Sequence, residues 1–310
     1  MVTSGTQDEG RISNAVLIAG PTASGKSALA LDIAERIGGV IVNADSMQGY
    51  QILDVLTARP ATSDMARVPH FLYGHVHPST PYSTGLWLRD VSRLASEGAL
   101  AARPAVFVGG TGLYFRAIVE GISEMPDIPA DVRLHWREQL EVRGPGALHQ
   151  LLRRDDPAAA ARLKPGDGQR IVRALEVLEA SGQSILHWQD TRSTPLIDSA
   201  SARFLVVEPE REALKARIDE RFDSMIERGA LEEVRTLDAL ALDPALPAMK
   251  AIGVPELRAA LADEIGFTEA IDRAKTATRQ YAKRQGTWFR HQLGAEWKRV
   301  SADGVGQTIF

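Results

Sequence analysis

Cysteine is absent from this 310-residue chain. That excludes disulfides, zinc ribbons, iron–sulfur clusters and thiol catalysis, and fits a reducing compartment. Long apolar runs are missing too. The longest is Ala15 to Ala19, far too short to cross a membrane. The first dozen residues include Asp8 and Glu9 and lack a basic start followed by an apolar stretch, so residues 1–13 read as a disordered tail rather than a signal peptide. The expectation is a cytoplasmic monomer with no membrane partner. Nor is there an excess of one charge: 36 Lys and Arg stand against 40 Asp and Glu, a net of −4. A polyanionic partner would therefore have to be met by a local basic patch. At this length the chain is expected to hold two domains, or one with a large insertion.

Four short apolar runs are present. Ala15 to Ala19 stops at Gly20, Val40 to Val42 at Asn43, Ala105 to Val108 at Gly109, and Phe204 to Val207 at Glu208. None alternates apolar with polar, which points to strands buried on both faces of a parallel sheet. Helical patterns at 27–36 and 86–97 lie between the first three, giving the βαβ alternation of an open α/β fold. The long gap before Phe204 reads as helix at 131–141, 146–153, 157–163 and 169–181, broken at Gly144-Pro145-Gly146. A helical insertion at 124–199, between core segments 14–123 and 200–310, is the economical reading. Further helices are expected at 210–228, 231–240 and 268–292.

Gly20-Pro21-Thr22-Ala23-Ser24-Gly25-Lys26-Ser27 fits G-x-x-x-x-G-K-[ST] between the first strand and the first helix. Its glycines let backbone N–H groups turn toward an anion, and the helix N-terminus adds partial positive charge. Lys26 can reach an outer phosphate, and the Ser27 hydroxyl can ligate Mg²⁺. The competing reading is a glycine turn with a solvated lysine.

In open α/β sheets ligands bind beyond the carboxyl ends of the strands. Asp45 and Thr111 stand at such ends. Three roles are open for Asp45: general base, metal second-shell group, or cap of a following helix. Gly109-Gly110-Thr111-Gly112 admits either close approach to a ligand or a tight turn. His75 and His77 lack a ligating partner and read as surface residues. Eight basic residues between Asp272 and Arg299 oppose only Asp272 and Glu296. Arg279, Lys283 and Arg290 share one helical face, which suits either a phosphate-rich partner or solvent.

These pieces, in this order, resemble the tRNA dimethylallyltransferase (tRNA isopentenyltransferase) family across residues 14–300. The resemblance rests on the phosphate loop and on Asn43-Ala44-Asp45-Ser46-Met47-Gln48, Thr57-Ala58-Arg59-Pro60, Pro81-Tyr82-Ser83, Val108 to Tyr114, Gln169-Arg170-Ile171-Val172-Arg173-Ala174-Leu175-Glu176, Ala251-Ile252-Gly253 and Thr278 to Trp288. It implies a P-loop-like parallel sheet with a helical insertion. It also implies transfer of a dimethylallyl group from dimethylallyl diphosphate to the exocyclic amine of the adenosine 3′ of the tRNA anticodon.

By resemblance, Asp45 accepts the amine's proton, Ser46, Met47 and Gln48 contact the flipped base, and Thr22 lies near the phosphates. Thr111, Arg133 and the run Gln169, Arg170, Ile171, Val172, Arg173 contact tRNA, with Arg279 and Lys283 added from the basic stripe, and the insertion clamps the anticodon stem-loop. Mg²⁺ is the implied cofactor, with Ser27 its ligand. The arginine that neutralises the diphosphate is read at Lys250, a cation that cannot bind in a bidentate fork. The rival reading is a P-loop small-molecule kinase that binds ATP.

Overall fold

The apolar runs assemble into one sheet. The structure is a computed structural model that describes residues 11–100 and 102–301. Its strands are β1 (Val16–Ala19), β2 (Val40–Asn43), β3 (His70–Phe71), β4 (Ala105–Gly109), β5 (Arg203–Val207) and β6 (Lys298–Val300). They lie in the order β3-β2-β4-β1-β5-β6, and every pairing is parallel. The expected strands are here, and they are buried along their length apart from Arg203. Two strands were not expected. β3 has two half-buried residues and β6 reads Lys-Arg-Val, so neither carries an apolar run.

Parallel order puts every strand's carboxyl end on one edge. β1 runs into α1 (Lys26–Ile37), which ends at Gly38 with φ 62°, a left-handed turn that glycine tolerates. Between β2 and β4 lie α2 (Thr62–Arg67) and α3 (Thr84–Ser96), the latter capped by the Ser83 hydroxyl, which accepts from the Leu86 N–H. α4 (Gly112–Glu120) follows β4.

The chain divides into two compact units, Glu120–Thr194 being the smaller. It holds α5 (Ala130–Asp155), kinked at Gly144 (φ 74°), then α6 (Pro157–Ala161), α7 (Gly168–Ser181) and α8 (Ile185–Gln189). Its own core gathers Trp136, Leu148, Leu152, Ile171 and Leu175. After β5 the larger unit continues with α9 (Arg211–Glu227), α10 (Ala230–Asp238), α11 (Val254–Leu261) and α12 (Phe267–Gln292). Residues 195–199, expected in the insertion, belong to the larger unit.

Residues 1–10 of the expected tail lie outside the described residues, and the reading fails at its last three. The Ile12 N–H donates to Leu196 O at 2.7 Å, and Ile12 is buried beside Ile197. Among the described residues no helix is long and apolar enough to cross a membrane.

Candidate active site

The phosphate loop closes on itself. The Ser24 N–H reaches Pro21 O at 3.2 Å, and Ala23 (φ 62°) and Gly25 (φ 88°) turn the backbone left-handed before α1 begins. The first turn of α1 carries no acidic side chain, so its free N–H groups face an anion without competition. Ser27 is exposed there, and the Ser24 hydroxyl is buried with no partner. Lys26 donates to Pro21 O at 3.1 Å. Burial pulls its ammonium down to about 8, the Asp45 charge opposing and the Arg221 charge adding to that fall.

Two residues overlooked in the sequence hold Thr22. Its hydroxyl accepts from the Arg221 guanidinium, and its N–H donates to Gln285 Oε1 at 2.9 Å. Burial lowers the Arg221 pKa, offset in part by Asp45. A signal existed for both. On α9, Ile218, Phe222 and Met225 are buried, and Arg221 shares their face. On α12, Gln285 lies on the face of buried Ala282 and Phe289. A polar residue on a core-facing stripe was the clue.

The turn that follows β2 is organised by Asn43. Its side chain accepts from the Asp45 N–H at 2.8 Å and donates to Asp45 O and Leu72 O. Asp45 Oδ1 accepts from the Met47 N–H at 3.0 Å. This is the bond of a cap, yet a turn follows instead of a helix. Oδ2 forms no hydrogen bond among the described residues. The Asp45 charge is felt by the phenols of Tyr73, Tyr114 and Tyr281. Burial pushes all three phenols up, with the Asp45 charge adding to the shift. They stay protonated at neutral pH.

Thr111 joins the second and fourth strand ends, its hydroxyl accepting from the Ser46 N–H at 3.0 Å. The close packing needs glycine. A Cβ on Gly109 would fall 2.0 Å from Ala44 O, and one on Gly112 2.2 Å from the Trp288 ring.

Of the other expected site residues, the side chains of Met47, Gln48 and Arg279 are engaged elsewhere. The Gln48 amide donates to Thr57 O and Ala58 O, and Met47 packs on an apolar cluster. Lys250 ends a single 3₁₀ turn, exposed and without an ion pair among the described residues, whereas Arg221 reaches the phosphate loop at Thr22. Arg279 pairs with Asp219. Lys283 is exposed and lines a cleft of about 720 Å³ that reaches Pro21 of the phosphate loop.

In the smaller unit, Ile171 and Val172 are buried in the local core, so their side chains are unavailable for contacts outside it. That corrects their place in the binding run. Gln169 and Arg170 are exposed, and Arg173 leans on Glu176 at 3.2 Å. Arg133 is exposed on α5.

No group of three or more His, Asp or Glu side chains among the described residues could cage a metal by itself. Magnesium tolerates that, since it retains waters and takes most of its remaining ligands from substrate phosphates. One exposed hydroxyl at Ser27, beside the phosphate loop, fits such a site.

The chain matches the IPP transferase family over residues 48–292 and the isopentenyl transferase family over 13–71. It is 70% identical over 292 residues to the tRNA dimethylallyltransferase of Mesorhizobium japonicum, covering 94% of this chain and 91% of the relative. To that of a Chelativorans strain it is 59% identical, covering 93% and 99%. Among solved structures, the full-length tRNA isopentenylpyrophosphate transferase of Bacillus halodurans aligns with a TM-score of 0.66 at 31% identity, over 93% of this chain and 89% of that one. A eukaryotic dimethylallyltransferase acting on tRNA aligns at 0.78 and 26% identity, over 94% and 75%. With a family match across most of its length and a relative this similar, the chain belongs to the IPP transferase family.

Proposed function

We propose that this enzyme prenylates tRNA in the cytoplasm, moving a dimethylallyl group from dimethylallyl diphosphate to the exocyclic N6 of the adenosine 3′ of the anticodon. The observation that carries the reading is the convergence of Lys26, Arg221 and Asp45 at one sheet edge. Lys26 meets Pro21 O and Arg221 the Thr22 hydroxyl at the phosphate loop, and Asp45 keeps Oδ2 without a hydrogen bond among the described residues, so two cations would face a leaving diphosphate and a carboxylate oxygen a nucleophilic amine.

In the reaction N6 forms a bond to C1 of the dimethylallyl group, the C1–O bond breaks, and diphosphate departs with the bonding pair. Asp45 Oδ2 takes the proton that N6 sheds. Lys26, Arg221 and the first N–H groups of α1 hold the negative charge that grows on the departing diphosphate. Ser27 would help to hold Mg²⁺ at the diphosphate, where the ion would supply further charge neutralisation. The target adenine has to leave its stack to reach Asp45. The Asp45–Gln48 turn and Thr111 receive it, and Arg133, Gln169, Arg170, Arg173 and Lys283 hold the tRNA backbone without reading sequence.

Incubation with labelled dimethylallyl diphosphate and unmodified tRNA tests this. Label should enter tRNA carrying the anticodon-adjacent adenosine and not tRNA in which that base is replaced. Turnover of ATP with no transfer to tRNA would favour the kinase reading instead.

A further inference from the structure

We propose that Gln285 is a positioning residue that fixes the spacing between the phosphate loop and the acceptor-side turn. The inference rests on the reading above, because both segments it joins are placed there in the reaction. Gln285 is only 6% exposed, and it uses both ends of its amide. Oε1 accepts from the Thr22 N–H at 2.9 Å, and Nε2 donates to Gly110 O at 2.9 Å. A donor at one end and a carbonyl at the other leave only one orientation of the amide that satisfies both.

Each anchor continues into the chemistry. Thr22 carries the hydroxyl that receives Arg221. Gly110 precedes Thr111, which holds the Ser46 N–H. Gly110 also lies close to both Gln285 and Asp45. A Cβ there would lie 2.3 Å from Gln285 Nε2 and 3.1 Å from Asp45 Oδ2. The amide therefore sets two distances together: that of Arg221 and Thr22 from the leaving group, and that of Asp45 from the acceptor. The Gly110 bond is buried, so losing it leaves a carbonyl without a partner in a low-polarity setting.

The experiment measures single-turnover prenyl transfer to tRNA, tRNA affinity and thermal melting for Gln285→Leu and Gln285→Glu, alone and combined with Thr22→Val. Gln285→Leu should slow transfer by about tenfold to a hundredfold, the scale of a misplacement near 1 Å, with tRNA affinity within about twofold of wild type. Gln285→Glu has the same shape and keeps the acceptor for the Thr22 N–H while losing the donor to Gly110. It should fall between wild type and the leucine variant, and it carries the test alone if the leucine variant does not fold.

Because Gln285 is held to act on Arg221 partly through the Thr22 hydroxyl, losses from Gln285→Leu and Thr22→Val should overlap rather than multiply. Rates within about twofold of wild type in both Gln285 variants, or losses that multiply, would overturn the proposal. A wild-type enzyme that prenylates no tRNA would overturn the underlying reading instead.

Discussion

The strand-end site and helix α7 of the smaller unit use polar residues in opposite ways. At the strand ends each functional group is held by others. Thr22 is gripped by Gln285 and Arg221, Asp45 by the Met47 N–H, and Asn43 spans three bonds. On α7 the side chain of Arg170 is 76% exposed and, among the described residues, pairs only with Asp167, one turn away. Bond making needs groups fixed within about half an ångström. Holding a phosphate backbone needs only charge on a stable helix.

The glycines sharpen that contrast most. Gly109→Ala would drive a methyl group into the Ala44 carbonyl, backbone against backbone with no side chain to yield. It should cost more than about 4 kcal/mol, read by chemical denaturation. Gly146→Ala, in the helical part of α5 with nothing within 4 Å of the new methyl, should instead raise stability by up to about 1 kcal/mol. Equal effects would erase the distinction between the two regions.

Arg221→Ala removes the charged donor on the Thr22 hydroxyl, which the proposed reaction turns on the departing diphosphate, and should cut turnover by about 10²–10³. The same change at Lys250 should alter single-turnover rates far less. The reverse ranking would restore the sequence-based assignment of the neutralising cation to Lys250.

A smaller effect is titration of Lys26, charged in the folded protein only below about 8 against 10.5 ordinarily. Donor affinity of the free enzyme should fall as pH rises through about 8, and Lys26→Arg should remove that limb. Stability moves the other way. Between pH 8 and 10.5 the unfolded chain holds more protons, so this group's contribution to stability grows with pH across that window. Affinity flat to pH 9 by calorimetry would contradict the placement of Lys26.

The smallest expected change is at Arg170. Arg170→Ala should lower the slope of log affinity for tRNA against log salt by about 0.7–0.9 while leaving the rate from saturated complex unchanged. A wild-type slope would remove α7 from the interface.

Much of this was legible in the chain. Unbroken apolar runs gave four strands, and Gly144-Pro145-Gly146 marked the kink in α5. The loop from Gly20 to Ser27 and the strand-end Asp45 were read from pattern alone. What escaped shares a cause. β3 and β6 lack an apolar run, so their structure comes from neighbours rather than local pattern. Arg221 and Gln285 lie far from the phosphate loop in sequence, and only the packing of α9 and α12 brings them to Thr22. Ile171 and Val172 show the converse. They sit inside a motif, yet their side chains fill a core.

The central claim is that the free oxygen of Asp45 takes the amine's proton, and Asp45→Asn tests it with shape preserved. Single-turnover transfer from preformed complexes saturated with tRNA and donor should slow by about 10²–10⁴, with the tRNA dissociation constant unchanged. A rate near wild type would show that Asp45 only shapes the turn through Oδ1 and that the proton leaves by another route.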